Sequence, residues 1–260
     1  MSAQPELRRP PELLRSINLV GDGVIRGVLL ELPNETVRRF LPPGLELVAH
    51  AVTPRGTHPV LVFFQDMIGA HLTIPSLLPE LTYHELIFGV PFTAPRGGSP
   101  EAFFYIPRLL LTSQLAALGG VLFWGFRKEV VHTTSTEGRY AVQDLDGTDV
   151  ISLDFEATGE PGPLGCYPRF EGTRQMMSQP LIMSVPLGVG PWFAYSNFDK
   201  KWDEATLCPL STSVRIDRAF VEGLPCGTFP SSGRAPGIDE SPLGSFELRA
   251  RFRQSLPYPG

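Results

Sequence analysis

Lysine is nearly absent from this chain of 260 residues. Its 22 basic residues are 19 arginines and three lysines, Lys128, Lys200 and Lys201. Cysteine is scarce too. Cys166, Cys208 and Cys226 are far apart and odd in number, and no CxxC pair occurs. That excludes a zinc-finger spacing and a disulfide framework. The five histidines, His50, His58, His71, His84 and His132, never fall as HxH or HxxxH. There is no GxGxxG, no GxxxxGKS/T and no GxSxG, so nucleotide-binding turns and a hydrolase elbow are missing. We expect no cofactor and no metal.

Long apolar runs are also lacking. The longest, Leu115 to Phe126, falls well short of the roughly 20 residues that a membrane helix needs. The opening MSAQPELRRPPELLRS has no apolar stretch behind its charges and does not read as a signal peptide. Positive charge is not concentrated: the net charge is -5, and only Arg8-Arg9 and Arg38-Arg39 are adjacent pairs. Nucleic-acid binding needs clustered cations, so that class is excluded. The expectation is a soluble, cytoplasmic protein with neither nucleic-acid nor membrane partners.

What is present is core material. Hydrophobic residues make up 42% and charged residues 19%, which suits a globular chain. The 27 prolines and 26 glycines keep helices short and few. GVIRGVLLEL (Gly23–Leu32), HPVLVFFQDMI (His58–Ile68), LTYHELIFGVPF (Leu81–Phe92) and EAFFYIPRLLL (Glu101–Leu111) are rich in β-branched and aromatic residues and read as strands. YAVQDLDGTDVISLDFEAT reads as a hairpin turning at Asp146-Gly147. SFELRARFRQ alternates apolar and polar, as a half-buried strand does. Two helices are expected: one capped by Asn34 and stopped at Pro42, the other over Thr112–Gly120. The fold class is therefore β-rich α+β, an antiparallel curved sheet closing into a barrel around an apolar cavity, with a few short helices outside. One domain spans 1–260, with residues 1–18 as an N-terminal extension and 229–244 as a loop expected to be mobile. Val28, Leu30, Val62, Phe64, Ile87, Phe104 and Trp124 are expected in the core.

Lys128 stands out. It lies within GGVLFWGFRKEVVHT (Gly119–Thr133), at the end of the apolar run, with Leu122, Phe123, Trp124 and Phe126 before it and Val130 and Val131 after. A lysine here can simply snorkel to water. Arginine would do so equally well, and this chain uses arginine six times as often. Imine chemistry does not allow that swap, because a guanidinium stays protonated. Desolvation favours the neutral amine, which is the nucleophile toward ketones. Lys200 and Lys201 sit in the mixed-charge run Asp199–Glu204, which reads as a solvated loop with both lysines protonated.

WGFRKE (Trp124–Glu129) resembles the WGFPKK signature around the Schiff-base lysine of acetoacetate decarboxylases, and the LGG before it fits as well. ELPNETVRRFLPPGLEL, HPVLVFFQDM, YHELIFGVPF and LCPLSTSVRIDRAFVEGLPCGTF are similar to family segments in the same order, over roughly residues 20 to 230. The resemblance implies that Lys128 forms the imine and that Glu85, on the YHEL strand, is a catalytic-site carboxylate. Gln65 or Asp66 falls near a second family carboxylate. Arg127 replaces the usual proline, and Glu129 replaces a second lysine. The arginine that holds a substrate carboxylate in the family would fall near Gly23, and Arg26 is the nearest substitute. Arg26, Gln65, Phe126, Arg127 and Glu129 are thus the candidate substrate-binding residues. A carboxylate facing an amine stabilises its charged form. In an extended segment, however, Glu129 and Arg127 would both point away from Lys128.

The activity implied is a decarboxylase-like lyase acting on a keto acid or ketone, in a homo-oligomer. Relatives that use the same lysine for aldol condensation and dehydration give a second reading. A binding protein that kept the cavity without the chemistry is a third.

Overall fold

The computed structural model describes residues 12, 15–74, 79–98, 101–185, 192–231 and 244–259. Most of the expected extension 1–18 and of the expected loop 229–244 lies outside them.

Four long antiparallel strands form the centre: β1 (Asn18–Pro33), β2 (Thr57–Leu72), β3 (Leu81–Pro95) and β4 (Phe103–Leu111), paired in that order. Both faces are covered. Val28, Val62, Phe64, Phe88 and Leu110 enter one core with Tyr140, Leu153 and Val214. Ile25, Phe63, Phe104 and Leu109 enter a second core with Trp124, Phe126, Met176 and Leu248. A strand buried on both sides has no reason to alternate apolar with polar residues, which is why VLVFF reads as an unbroken run.

β13 (Ser245–Ser255) pairs with the outer edge of β1. β12 (Thr206–Ile216) then turns the corner. Its residues Thr206–Pro209 pair with β13, and Leu210–Ile216 pair with β8 (Asp149–Ala157). β8 continues into β7 (Arg139–Gln143) and β6 (His132–Thr136). At the far edge β9 (Leu181–Val185) runs parallel to β4 and pairs with β10 (Trp192–Ser196). No pairing among the described residues joins the two ends. The sheet curls without closing, which corrects the expected barrel. The corner at β12 and the packed helices do the enclosing.

The β7–β8 hairpin turns as expected, with Gly147 at φ 85° and Thr148 N donating to Asp146 Oδ1. The first helix, α1 (Asn34–Arg38), begins at Asn34 itself. Pro33 stands at the cap position, and no side chain caps the helix. The second, α2 (Gln114–Trp124), is capped by Ser113, whose Oγ accepts from Ala116 N. It runs beyond the expected Gly120 and stops at Gly125, which takes the left-handed conformation at φ 68° that glycine tolerates. A third helix, α3 (Glu171–Met177), is not among the expected elements. No helix among the described residues is long and apolar enough to cross a membrane. Of the expected core residues, all are buried except Ile87, which is half-buried because it lines a cavity.

Candidate active site

That cavity lies on the second face of the central sheet. Strand alternation selects its lining: Ile25 from β1; Phe63, Gln65 and Met67 from β2; Tyr83, Glu85 and Ile87 from β3. The intervening Arg26, Asp66 and His84 therefore project to the opposite face. Gln65 and Glu85 are directly paired across β2 and β3. Gln65 Nε2 donates to Glu85 Oε2 at 2.9 Å.

Lys128 opens the short strand β5 (Lys128–Val130), which runs parallel to β4 with Lys128 beside Leu109. Its side chain passes beneath α2. A methyl group at Gly120 would stand 2.1 Å from Lys128 Cε, so only glycine leaves the passage open. Lys128 Nζ donates to Glu85 Oε1 at 3.1 Å, and both side chains are almost wholly buried, at 8% and 6% exposure. The Phe126 ring lies 6.0 Å from the amine. Lys128, Glu85, Gln65 and Phe126 thus meet at one place. Tyr83, also in the lining, is buried beside Glu85. Both effects push its phenol well above its usual range, so the hydroxyl stays a neutral donor.

Three sequence candidates stand elsewhere. Arg26 faces away from the cavity, where it binds Asp66 Oδ2 at 3.1 Å and Glu247 Oε2 at 3.2 Å beneath the Phe155 ring. It is one residue out of phase with the cavity-lining Ile25, which corrects its reading as the substitute carboxylate anchor. Arg127 is exposed. Glu129 pairs with Arg108 at 2.8 Å, on the side of β5 opposite Lys128. Asp66 is held by Arg26 and by His84, whose Nδ1 is 2.7 Å from Oδ1, and these partners keep its carboxyl below the usual range against the effect of burial. Gln65 is therefore the one of the Gln65/Asp66 pair that faces Glu85.

The residue that sequence reasoning missed is Lys200. It is no solvated loop residue. It ends β11 (Phe198–Lys200), pairs with Phe252 of β13, and turns into the same cavity. It is 5% exposed, and burial lowers its pKa to about 7. Of Phe198, Asp199 and Lys200, only Asp199 is exposed in the structure. The argument from lysine scarcity, applied to Lys128, applied here equally.

The inner cavity is small, about 60 Å3. It adjoins an outer one of about 250 Å3, lined by Leu115, Leu118, Leu122 and Phe123 of α2 together with Leu72 and Leu81. Lys128, Tyr83, Phe126, Leu19 and Gln254 line both. Lys128 therefore stands at the junction, whereas Lys200 and Glu85 line only the inner chamber.

No protein-family model matches this sequence, and no curated protein is detectably similar to it. Solved structures are similar in fold. The enduracididine biosynthesis enzyme MppR, complexed with the condensation product of pyruvate and imidazole 4-carboxaldehyde, is 15% identical; the match covers 96% of this chain and 90% of that one with a TM-score of 0.58. Acetoacetate decarboxylase from Legionella pneumophila is 15% identical, over 100% and 91% of the two chains, with a TM-score of 0.56. An acetoacetate decarboxylase-like enzyme from Sphingomonas wittichii RW1 is 11% identical, over 98% of each, with a TM-score of 0.52. The curled sheet of this protein, with its buried lysine beneath a short apolar helix, has the acetoacetate decarboxylase-like fold.

Proposed function

We propose that this protein is a Schiff-base-forming lyase that acts on a small keto acid, with Lys128 as the nucleophile. The observation that carries the reading is the buried contact between Lys128 Nζ and Glu85 Oε1 at the junction of the two chambers. Attack on a carbonyl needs the neutral amine. Glu85 takes the ammonium proton across that contact, leaving an uncharged pair in a cavity that disfavours separated charges. The amine nitrogen bonds to the carbonyl carbon, and the carbonyl oxygen takes the proton back from Glu85. Glu85 then accepts a proton from the new C–N nitrogen and passes it to the hydroxyl, which leaves as water as the nitrogen lone pair closes the iminium. Gln65 Nε2 holds the second Glu85 oxygen and fixes the carboxyl in place. In a β-keto acid, the carbon–carbon bond to the carboxylate then breaks toward the iminium nitrogen. CO2 leaves, and the enamine is protonated and hydrolysed to the ketone.

A second reading, aldol condensation or dehydration on the same imine, is supported by the fold neighbour that holds a condensation product of pyruvate. Both readings need the imine, and they differ in whether CO2 is released. Incubation with acetoacetate or pyruvate, followed by borohydride, is expected to add one reduced substrate mass to the intact chain. Peptide mapping is expected to place it on Lys128, and Lys128→Arg to abolish it. No adduct with either compound across pH 6 to 10 would refute the proposal.

A further inference from the structure

We propose that Lys200 is the carboxylate anchor of the inner chamber, so that an acid ligand binds with its carboxylate innermost and its carbonyl toward Lys128. This deepens the keto-acid reading and rests on it for the carbonyl end. Carboxylate binding itself does not require the imine.

The argument begins with what the lysines touch. Lys128 has Glu85 at 3.1 Å, and Lys201 has Glu204 at 3.3 Å. Lys200, the most buried of the three, has no carboxylate within 4 Å among the described residues. Its Nζ donates one hydrogen bond, to Met177 O at the last residue of α3, at 3.2 Å. The rings of Phe198 and Trp202 lie 4.5 and 5.1 Å from it. An ammonium has three donors, so two remain. Buried cations are ordinarily paired, and one held in place by a carbonyl and two rings but left without an anion is a site for an anion.

The surroundings favour a carboxylate on Lys200 over one elsewhere in the cavity. Arg26 and Arg127 do not line the inner chamber, and Lys128 already carries Glu85. The other ionisable groups near Lys200 are accounted for. Glu85 is paired with Lys128, and Tyr83 stays neutral. Asp199 and Lys201 flank it in the chain but are exposed. Arg251 and Arg253 on β13 are exposed as well, as are Asp203 and Glu204 on the following turn. On α3, Arg174 pairs with Glu171. Burial lowers the Lys200 pKa and outweighs the opposing charge of Asp199.

The chamber also sets the ligand's size. About 60 Å3 corresponds to about five water sites, room for a carboxylate and two or three carbons. A chain extending further would pass Lys128 into the apolar outer chamber. The ligand class is therefore a short keto acid, or a longer one whose tail is apolar.

An anchor that is half-charged at neutral pH has a consequence that a fixed arginine would lack. A carboxylate binds the protonated amine, so binding takes up a proton. Below about pH 7 the affinity is level; above it, affinity falls about tenfold per pH unit, because less of the amine is charged.

The test uses propanoate, a carboxylate with no carbonyl, measured by titration calorimetry from pH 6 to 9 in buffers of different ionisation enthalpy. Wild type is expected to take up a proton on binding at pH 8 and to show the tenfold-per-unit decline above pH 7. Lys200→Arg is expected to bind without that pH dependence. Lys200→Met is expected to lose at least tenfold more affinity for propanoate than for uncharged butanone. Propanoate binding with no proton uptake, or with the decline intact in Lys200→Arg, would overturn the anchor. A borohydride adduct with butanone mapping to Lys200 instead of Lys128 would overturn it as well, making Lys200 the nucleophile. Proton-coupled propanoate binding together with no adduct on any lysine would uphold the anchor and sink the imine chemistry, so the two proposals fail separately.

Discussion

Lys200→Met replaces a buried amine with a thioether of similar length, and the structure says when this should stabilise the protein. The lysine titrates near 10.5 when exposed and at about 7 in the fold, so the unfolded chain binds more protons between those values. Stability therefore rises with pH across that window. The sign follows from burial penalising the ammonium: below pH 7 the full penalty is present, and above about 10.5 it has gone. At pH 7 the penalty is about 4 kcal/mol, and at pH 10 it is about 1 kcal/mol. Methionine escapes it but gives up the hydrogen bond to Met177 O, worth about 1 kcal/mol; the contact of the charged amine with two rings already acts within the lowered pKa. Lys200→Met should thus be more stable than wild type by about 3 kcal/mol at pH 7 and about equal to it at pH 10. Urea unfolding of both proteins at pH 6, 7, 8, 9 and 10 measures the difference, which should shrink by about 1.4 kcal/mol per unit through the middle of the range. A difference that is flat with pH, or a variant less stable than wild type at pH 7, would refute the reasoning.

Two further substitutions probe Lys128. Gly120→Ala puts a methyl group where the lysine side chain runs, so the flexible amine must move away from Glu85. We expect borohydride trapping to slow at least tenfold while the melting temperature changes by no more than a few degrees, since the far end of a long side chain yields before the helix does. Glu129→Lys restores the family's paired lysines in sequence but places the new amine beside Arg108 and Arg218, across β5 from Lys128. Trapping should proceed at the wild-type rate, and denaturant unfolding should show a loss of about 1 kcal/mol from the broken half-exposed pair; a marked change in trapping rate would mean that Glu129 reaches the cavity.

Some of this protein was determined by its sequence alone. The four long strands, the β7–β8 hairpin and the pairing of a scarce lysine with Glu85 followed from local composition, spacing and family resemblance, since each depends on neighbours a few residues away or on a motif with fixed order. Which face Glu129 occupies also followed, because alternation in a strand is local. Other features required the tertiary structure. Arg26 and Ile25 are adjacent, and nothing in GVIRGV says which of them faces the cavity when both faces of β1 are buried. The sheet's failure to close depends on where β12 leaves β13 for β8, a choice made by long-range pairing. Lys200 depends most on the tertiary structure. Its neighbours Asp199, Lys201 and Asp203 are polar, so the local pattern describes a surface, and only β13 and α3 packing around the β11 end turn that one amine inward. Burial of a charge is a property of everything that surrounds it, and the residues that surround Lys200 are scattered along the chain from Leu19 to Gln254.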